Sequence, residues 1–372
     1  MARMRIVILG GYGLFGSRIS RTLAGDAGLT VVVAGRHRAE AERLVAGIAQ
    51  PRASVLAAAI DTAAPDFAET LAALRPDVVI DTAGPFQARG YAVAEAVLSA
   101  GAHLIDLADG RAYVAGIEAL AAAAREAGRW VVSGASSVPG LTGAVVAAHL
   151  DRFAALEHVE AAISPGNRTP RGWATTQAIL GYVGKPFRIL RDGAWRTAYG
   201  WQSLRRLRVD GVGVRWAARC EVPDLDVLPA RHPQLRTVDF RAGLELRRMH
   251  FGLWLSSWLV RARLLPSMAL FARPLFAMSQ WWQNAGSDAG FLHVTMRGRG
   301  HDGAPLTLTW TLVARNGDGP QIPATAAIVL ARKLARGALP GSGARPCLDV
   351  FTLDEFMAAL DGFAMTATLR DA

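Results

Sequence analysis

Short runs of β-branched and aliphatic residues alternate with Ala/Leu/Arg-rich stretches through the first third of the chain. Six runs have the length and composition of buried strands: Arg5–Leu9, Thr30–Ala34, Ser54–Ala59, Val78–Thr82, His103–Asp106 and Trp130–Ser133. The intervening stretches predict helices near Phe15–Ala24, Arg38–Ala49, Phe67–Leu74, Tyr91–Ala100 and Ala112–Ala127. This alternation predicts a doubly wound parallel sheet.

The pattern changes after about Leu156. Longer segments in which apolar and polar residues alternate predict strands at Val209–Ala217, Phe291–Gly300 and Leu306–Arg315. The helices between them are rich in aromatic residues. We therefore predict an α/β protein whose second, α+β domain contains a mainly antiparallel sheet.

We place the domain boundary in the Gly/Ser/Pro stretch Gly134–Gly143, which gives domains of residues 1–145 and 146–372. A helix at 322–335, opened by Pro323, is a candidate to pack back on the first domain.

The most membrane-like segment runs from His250 to Trp282. Arginines and prolines interrupt it at Arg261, Arg263, Pro266, Arg273 and Pro274. No apolar stretch reaches the roughly 18–20 residues that span a bilayer, so we predict no transmembrane helix. Short helices that line an apolar cleft, lie on a membrane surface or contact a partner subunit remain open as interpretations.

The net charge of +10 comes from 41 basic residues, of which only Lys185 and Lys333 are lysine. Residues 1–150 are neutral, with 13 basic and 13 acidic side chains, whereas Arg188–Arg273 contains 16 arginines against seven acidic residues. Tryptophans are interleaved with these arginines, but no nucleic-acid-binding module accompanies them, so we expect no nucleic acid partner. An amphiphilic or anionic substrate, anionic lipid beneath a peripheral protein, and a solvated surface remain open.

The cysteines indicate neither a disulfide framework nor a metal site. Only Cys220 and Cys347 are present, without CxxC spacing or a His/Cys cluster. The N-terminus resembles a secretory signal superficially but lacks an AxA-type cleavage site. We predict a cytoplasmic protein, with peripheral membrane contact left open.

The first strand runs into a glycine-rich turn. We assign six residues of it to cofactor binding: Gly10, Gly11, Gly13, Leu14, Phe15 and Gly16. In such a turn the glycines permit the reversal, the approach of backbone to a pyrophosphate, and close helix–strand packing. The phosphate then lies at a helix N-terminus, where free N–H groups and the helix dipole favour an anion. The turn predicts dinucleotide binding, and a merely structural glycine turn is the alternative.

The ends of the second and third strands bear on the choice of cofactor. An NAD-specific enzyme usually places Asp or Glu after the second strand, against the ribose hydroxyl, whereas this chain has Arg36. A guanidinium suits a 2′-phosphate, so Arg36 predicts NADP(H), unless it is simply solvated. Asp61 could accept a hydrogen bond from the adenine amino group, or it could cap a helix.

The loop after the fourth strand is small and rigid. It reads Asp-Thr-Ala-Gly-Pro-Phe at 81–86, and a cofactor could lie close to the backbone of Ala83, Gly84 and Pro85. In order and spacing, this loop resembles the saccharopine dehydrogenase-like NAD(P)-binding oxidoreductase family, as do the glycine turn, AGR at 34–36, HLIDLADGR at 103–111 and GASSVPG at 134–140. The resemblance covers roughly residues 5–145.

The resemblance implies a two-domain fold with an N-terminal Rossmann domain, a nicotinamide cofactor and hydride transfer. It implies cofactor roles for Gly10, Gly13, Gly16, Arg36, Ala83, Gly84 and Pro85. It does not imply saccharopine as the substrate, because relatives reduce imines formed from amino acids and aldehydes, make polyamines, or act on lipid-linked double bonds.

The sequence offers two candidates for the catalytic proton donor. Lys185 stands where this chain otherwise uses arginine, and a lysine can be tuned to release a proton. Asp106 ends the fifth strand, at the edge where such sheets bind ligands. A surface lysine kept by chance and a capping aspartate are the alternatives.

These features predict an NADP(H)-dependent oxidoreductase that reduces a C=N, C=O or C=C bond of a small-molecule substrate. A membrane-associated, lipid enoyl-reductase-like enzyme is one alternative. A non-catalytic NADP(H)-binding sensor or scaffold is another. A homo-oligomer is compatible with the sequence but is not indicated by it.

Overall fold

The computed structural model describes residues 3–371, which divide into two compact units. The first unit comprises the chain up to Leu141 together with Gln321–Leu360. The second unit comprises Thr142–Pro320 and the segment that begins at Asp361. The chain thus leaves the first unit, returns to it for forty residues, and ends in the second.

The first part of unit 1 alternates strands and helices. Its elements are β1 (Met4–Leu9), α1 (Gly16–Ala24), β2 (Leu29–Gly35), α2 (Arg38–Ala46), β3 (Ser54–Ala59), α3 (Phe67–Ala73), β4 (Val78–Asp81), α4 (Ala92–Ser99), β5 (His103–Asp106), α5 (Arg111–Ala115), a 3₁₀ turn (Ile117–Leu120), α6 (Ala121–Glu126) and β6 (Trp130–Ser133).

Unit 2 is built mainly from strands. Its elements are α7 (Thr142–His149), a 3₁₀ turn (Leu150–Arg152), β7 (Ala155–Ser164), α8 (Trp173–Tyr182), β8 (Pro186–Arg191), β9 (Ala194–Tyr199), β10 (Arg205–Val209), β11 (Gly213–Arg219), α9 (Asp224–Arg231), β12 (Thr237–Ala242), α10 (Arg247–Arg261), a 3₁₀ turn (Met268–Phe271), α11 (Ala272–Gln280), β13 (Gly290–Arg299) and β14 (Pro305–Ala314).

The C-terminal segment contributes to both units. Helix α12 (Gln321–Ala335), strand β15 (Gly343–Pro346) and helix α13 (Leu353–Ala358) belong to unit 1, and strand β16 (Met365–Asp371) belongs to unit 2. Within unit 1, α12 packs on α1. Arg332 of this helix forms an ion pair with Asp26 at 2.7 Å.

The sheet of unit 1 has seven strands in the order β15-β6-β5-β4-β1-β2-β3, and every pairing is parallel. Strand β2 (LTVVVAG) is buried along its whole length, as expected for a parallel strand whose two faces are both covered. The predicted doubly wound sheet is confirmed. The carboxyl ends of the strands meet at one edge, where such sheets bind ligands.

The sheet of unit 2 has nine strands, with the path β10-β11-β12-β7-β13-β14-β16; β8 pairs with β12, and β9 pairs with β8. Only the β12–β7 pairing is parallel. The predicted second unit with a mainly antiparallel sheet is confirmed. One apolar face of the sheet, which includes Leu292, Val294 and Met296, is buried, and β13 and β12 pack against α7 and α9.

The prediction of one strand over Val209–Ala217 is wrong. Strand β10 ends at Val209 and β11 begins at Gly213, and the two pair as an antiparallel hairpin. Gly211 and Gly213 both have positive φ, at 71° and 91°. The Asp-Gly pair at 210–211 is a hairpin signal, and it outweighs the apolar alternation that runs through it.

The segment from 247 to 282 forms helices α10 and α11 joined by a short connection. Inner side chains of this segment, among them Val260, Met268 and Ala272, belong to one buried apolar cluster with Trp201. No helix in the described part of the chain is long and apolar enough to cross a membrane.

Candidate cofactor site

The turn between β1 and α1 brings strand and helix into backbone contact. Gly10 has a φ of +72°, a left-handed conformation that favours glycine. At Gly16, the first residue of α1, a Cβ would lie 2.2 Å from the carbonyl oxygen of Gly10. The N–H of Gly11 donates to the carbonyl of Ala34 at 2.9 Å, which joins the turn to β2. The glycines therefore fix the close approach of β1, α1 and β2.

Gly13 is different, because it faces open space. A Cβ on Gly13 would meet one protein atom within 4 Å, the carbonyl oxygen of Gly10 at 3.1 Å. The N–H of Gly13 donates to that same carbonyl at 2.8 Å. The backbone of Gly13 is thus held by the turn but not covered by it, which fits a pyrophosphate in contact with the main chain.

The start of α1 presents unpaired donors. The backbone N–H groups of Leu14, Phe15 and Gly16 donate to no protein acceptor among residues 3–371. The first turn of α1 has no acidic side chain, and its N-cap makes no side-chain hydrogen bond. Free N–H groups and the positive end of the helix dipole together favour an anion at this position.

Arg36 follows β2 directly and is exposed. Within the described chain it forms no hydrogen bond and no ion pair through its side chain. Arg38, two residues later, forms an ion pair with Glu42 at 2.7 Å. Of these two guanidinium groups, Arg38 is paired with a carboxylate of the protein and Arg36 is not.

Tyr12 is a residue of this site that the sequence interpretation missed. Its hydroxyl accepts a hydrogen bond from the N–H of His37 at 3.0 Å. Its ring covers Gly35 so closely that a Cβ there would lie 2.5 Å from Tyr12 Cε1. Tyr12 thus fixes the backbone on either side of Arg36. The available signal was an aromatic residue inside the glycine turn, paired with the glycine of Ala-Gly-Arg.

Asp61 lies just after β3 and is exposed. One of its carboxylate oxygens accepts a hydrogen bond from the N–H of Ala63 at 3.0 Å, which stabilises its own turn. The neighbouring Ile60 donates its N–H to the carbonyl of Gly35. Asp61 therefore stands near the end of β2, and its adenine contact stays a prediction.

The loop that contains Ala83, Gly84 and Pro85 lies against the glycine turn. The Thr82 hydroxyl donates to the carbonyl of Leu9 at 2.7 Å. A Cβ on Gly10 would lie 2.8 Å from that hydroxyl oxygen. The Gly84–Pro85 peptide is cis. The structure thus brings together two segments, about 70 residues apart in the sequence, that are predicted to bind the cofactor.

A buried ion pair holds the Ala83–Pro85 loop. Asp81 is 1% exposed and pairs with Arg89 at 2.8 Å, and it also accepts from the N–H of Ala83 at 2.9 Å. Burial raises the pKa of Asp81, while the charge of Arg89 opposes that rise. Arg89 also donates to the carbonyl of Ala83. The sequence interpretation missed Arg89, because a lone arginine after Pro-Phe-Gln-Ala carries no recognisable signal.

Asp106 is wholly buried at the end of β5. Its Oδ1 accepts three hydrogen bonds, from Ala108 N, Ser133 Oγ and Gly134 N, each at 2.9 Å. Its Oδ2 is buried without a partner. Burial raises the pKa of Asp106 to about 7, although the three hydrogen bonds act to lower it. The carboxyl therefore joins the ends of β5 and β6 and is substantially protonated near neutral pH.

Replacing Asp106 by Asn should remove one source of pH-dependent stability. The folded-state pKa lies above the unfolded value of about 3.9, so this group stabilises the fold fully below pH ~4 and progressively less as pH rises through about 7. The unfolding free energy of the wild type should therefore fall relative to Asp106→Asn across that range, by on the order of a few kcal/mol. Urea denaturation at several pH values measures the difference. A difference that does not change with pH would show that Asp106 is ionised throughout.

Lys185 lies in unit 2, between α8 and β8, and is exposed. Its carbonyl accepts from the N–H of Gly200, and its own N–H donates to Tyr182. The ammonium group forms no hydrogen bond or ion pair within residues 3–371. Lys185 and the glycine turn belong to different units, so its catalytic role stays a prediction.

Unit 2 also contains a polar cavity of about 130 Å³ on the face of its sheet opposite the apolar core. Three guanidinium groups and two carboxylates line it: Arg205, Arg241, Arg297, Glu160 and Asp239. Although burial opposes ionisation, hydrogen bonds and charges from Arg205 and Arg297 lower the pKa of Glu160. Burial lowers the pKa of His293, which also lines the cavity. Arg205 and Arg297 pair with Glu160, and Arg241 pairs with Asp239, so the charged groups that line the cavity form ion pairs with one another.

No group of three or more His, Cys, Asp or Glu side chains in the described chain is arranged to hold a metal ion. Cys220 and Cys347 are both buried and form no disulfide.

The chain is similar to known proteins in both sequence and structure. Residues 6–132 match the model of the saccharopine dehydrogenase NADP binding domain family. The apo histidine-tagged saccharopine dehydrogenase (L-Glu forming) from Saccharomyces cerevisiae superposes with a TM-score of 0.71 at 13% identity, covering 99% of this chain and 100% of that one. At this identity the similarity shows a shared fold.

Two further solved structures match most of the chain, but with TM-scores below 0.5. They are GenD2 from gentamicin A biosynthesis in complex with NAD (0.44, 16% identity, 100% of this chain and 97% of that one) and a meso-dapdh mutant from Clostridium tetani (0.48, 11% identity, 95% and 96%). No curated protein sequence matches the chain.

The family match and the geometry of the glycine turn together identify residues 6–132 as an NADP-binding domain with a Rossmann-like fold. The predicted resemblance to the saccharopine dehydrogenase-like NAD(P)-binding family is confirmed over residues 6–132 by the family model, and the structural match shows that the fold is shared.

Proposed function

We propose that the protein is an NADP(H)-dependent oxidoreductase that transfers a hydride to a C=N, C=O or C=C bond of a small-molecule substrate. The observation that carries the choice of NADP(H) is Arg36, an exposed guanidinium without a protein anion at the end of β2. A 2′-phosphate would supply that anion. The name of the matched family, an NADP binding domain, supports the same choice.

The residues around the glycine turn fit such a cofactor. The N–H groups of Leu14, Phe15 and Gly16 would bind the pyrophosphate at the start of α1. Arg36 would bind the 2′-phosphate, and the Ala83–Pro85 loop would lie along the nicotinamide ribose. Asp81 and Arg89 position that loop. When bound, the cofactor supplies the hydride, and the chain supplies orientation and one proton.

Lys185 is the side chain we propose to test as the proton donor. Its ammonium group is exposed and without a protein partner, so it is available to a substrate, whereas Asp106 is buried and already accepts three hydrogen bonds. We expect Lys185→Met to lower turnover and leave NADPH affinity unchanged. Lys185→Arg should not restore turnover, because arginine does not release its proton. Full activity in both variants would exclude the role.

Hydride transfer itself is tested with NADPH that carries deuterium at C4 of the nicotinamide. The protein is incubated with imines, carbonyl compounds and enoyl esters, including long-chain ones, and products are analysed by mass spectrometry. Deuterium in a product that depends on an intact Gly13 would support the enzyme. Tight NADPH binding without transfer to any class would favour the sensor or scaffold.

A further inference from the structure

The outer surface of α10, α11 and their connection is unusually apolar. Across residues 3–371, 13 large apolar side chains are exposed, and eight of them fall between residues 255 and 281: Leu255, Trp258, Leu259, Leu264, Leu270, Phe271, Met278 and Trp281. Leu264, Leu270 and Trp281 are 72%, 69% and 78% exposed. We call the exposed side chains of residues 247–281 the helical patch. Concentrations of this kind mark interaction surfaces.

The apolar residues of the patch are not the buried face of its helices. On α10, Leu253, Trp254 and Val260 face the core around Trp201. Leu255 and Leu259, four residues apart, lie on another face, one above the other. Helix α10 is therefore apolar on an outer face as well as on its inner face. A helix at the surface of a globular protein usually has polar residues on its outer face.

The patch is also strongly basic. It contains five arginines, Arg247, Arg248, Arg261, Arg263 and Arg273, and no acidic residue lies between Glu245 and Asp288. Arg248 stacks on Trp282, and Arg261 on Trp258. Arg247, Arg263 and Arg273 form no ion pair within the described chain. The positive charge of the patch is therefore not neutralised by its own carboxylates.

We propose that the helical patch docks this protein onto a membrane surface that contains anionic lipid. Trp, Phe and Leu side chains settle at the boundary between headgroups and acyl chains, and arginines beside them bind anionic headgroups. The helices lie on the surface and do not span it, since none is long enough. A second copy of the chain fits less well, because an isologous contact would place five arginines against five.

The test is co-sedimentation of the full chain with vesicles. Wild-type protein is mixed with phosphatidylcholine vesicles that contain phosphatidylserine and with pure phosphatidylcholine vesicles, at low and high salt. We expect binding to the anionic vesicles at low salt, and weaker binding at high salt and to the neutral vesicles. Absence of binding to anionic vesicles at low salt would overturn the proposal. An acidic protein would then be the alternative partner for the patch.

Two sets of variants separate the apolar and the charged contributions. The variant Leu264→Ser/Trp281→Ser lacks two highly exposed apolar side chains of the patch. We expect it to fold as the wild type does and to bind vesicles more weakly than the control. Arg263→Gln/Arg273→Gln removes two charges and should weaken vesicle binding about 30-fold, at about fivefold per arginine. Leu56→Ser/Leu369→Ser, at exposed apolar positions outside the patch, is the control and should bind as the wild type does.

Light scattering on the same proteins addresses self-association. We expect Leu264→Ser/Trp281→Ser to have the same molecular mass in solution as the wild type. If that variant instead converts a dimer to a monomer, or if it sediments with vesicles as well as the control does, the patch is not a lipid-docking surface.

Discussion

We expect Gly13→Val to lower the affinity for NADPH by roughly 10²- to 10⁴-fold while the protein stays folded. The valine side chain would enter the space beside Gly13 that the chain leaves open. It would keep a pyrophosphate from the N–H groups at the start of α1, and the estimate corresponds to the loss of about two charge-assisted hydrogen bonds at about 1.5–3 kcal/mol each. Calorimetric titration with NADPH measures the effect.

The matched control is Gly181→Val. Gly181 lies in α8 of unit 2, and a Cβ there would meet no atom within 4 Å. Circular dichroism and thermal unfolding of both variants check the fold, and Gly181→Val should bind NADPH as the wild type does. A folded Gly13→Val protein with unchanged affinity would place the cofactor elsewhere.

Arg36→Ala should weaken NADPH binding by roughly 10- to 150-fold and leave NADH binding almost unchanged. The Arg36 guanidinium forms no hydrogen bond or ion pair within residues 3–371, so its removal should leave the stability of the fold unchanged. Its expected partner, the 2′-phosphate, is absent from NADH. Fluorescence titration of wild type and variant with both reduced cofactors gives the four affinities required.

Arg38→Ala is the control for this experiment, because Arg38 lies two residues away but is already paired with Glu42. We expect it to change NADPH affinity little. An equal loss in both variants would mean that the two arginines share the phosphate. If Arg36→Ala weakens NADPH and NADH equally, Arg36 does not bind the 2′-phosphate.

The sequence predicted the first six strands of unit 1 nearly to the residue, because each is a short apolar run bounded by turn residues. It did not predict β15, whose four residues Gly-Ala-Arg-Pro contain no apolar run. That strand is specified by its place at the edge of the sheet, beside β6. Such long-range pairing leaves no local pattern.

The candidate site divides in the same way. The glycine turn and Arg36 were predictable because a known geometry demands those residue types at that spacing. Tyr12 and Arg89 were not, because their roles depend on contacts with Gly35 and Asp81 that only the folded chain creates. The position of Asp106 at the edge of the sheet that binds ligands was predictable. Its three hydrogen-bond donors were not, because they come from the ends of two neighbouring strands.

Titration of the wild-type protein with NADPH and NADH tests the central claim most directly. The unpaired N–H groups at the start of α1 serve both cofactors, and Arg36 serves only the phosphorylated one. We predict that both bind, and that NADPH binds roughly 10- to 150-fold more tightly. Equal affinities would contradict the assignment of NADP(H), and failure of both to bind would contradict the assignment of unit 1 as a dinucleotide-binding domain.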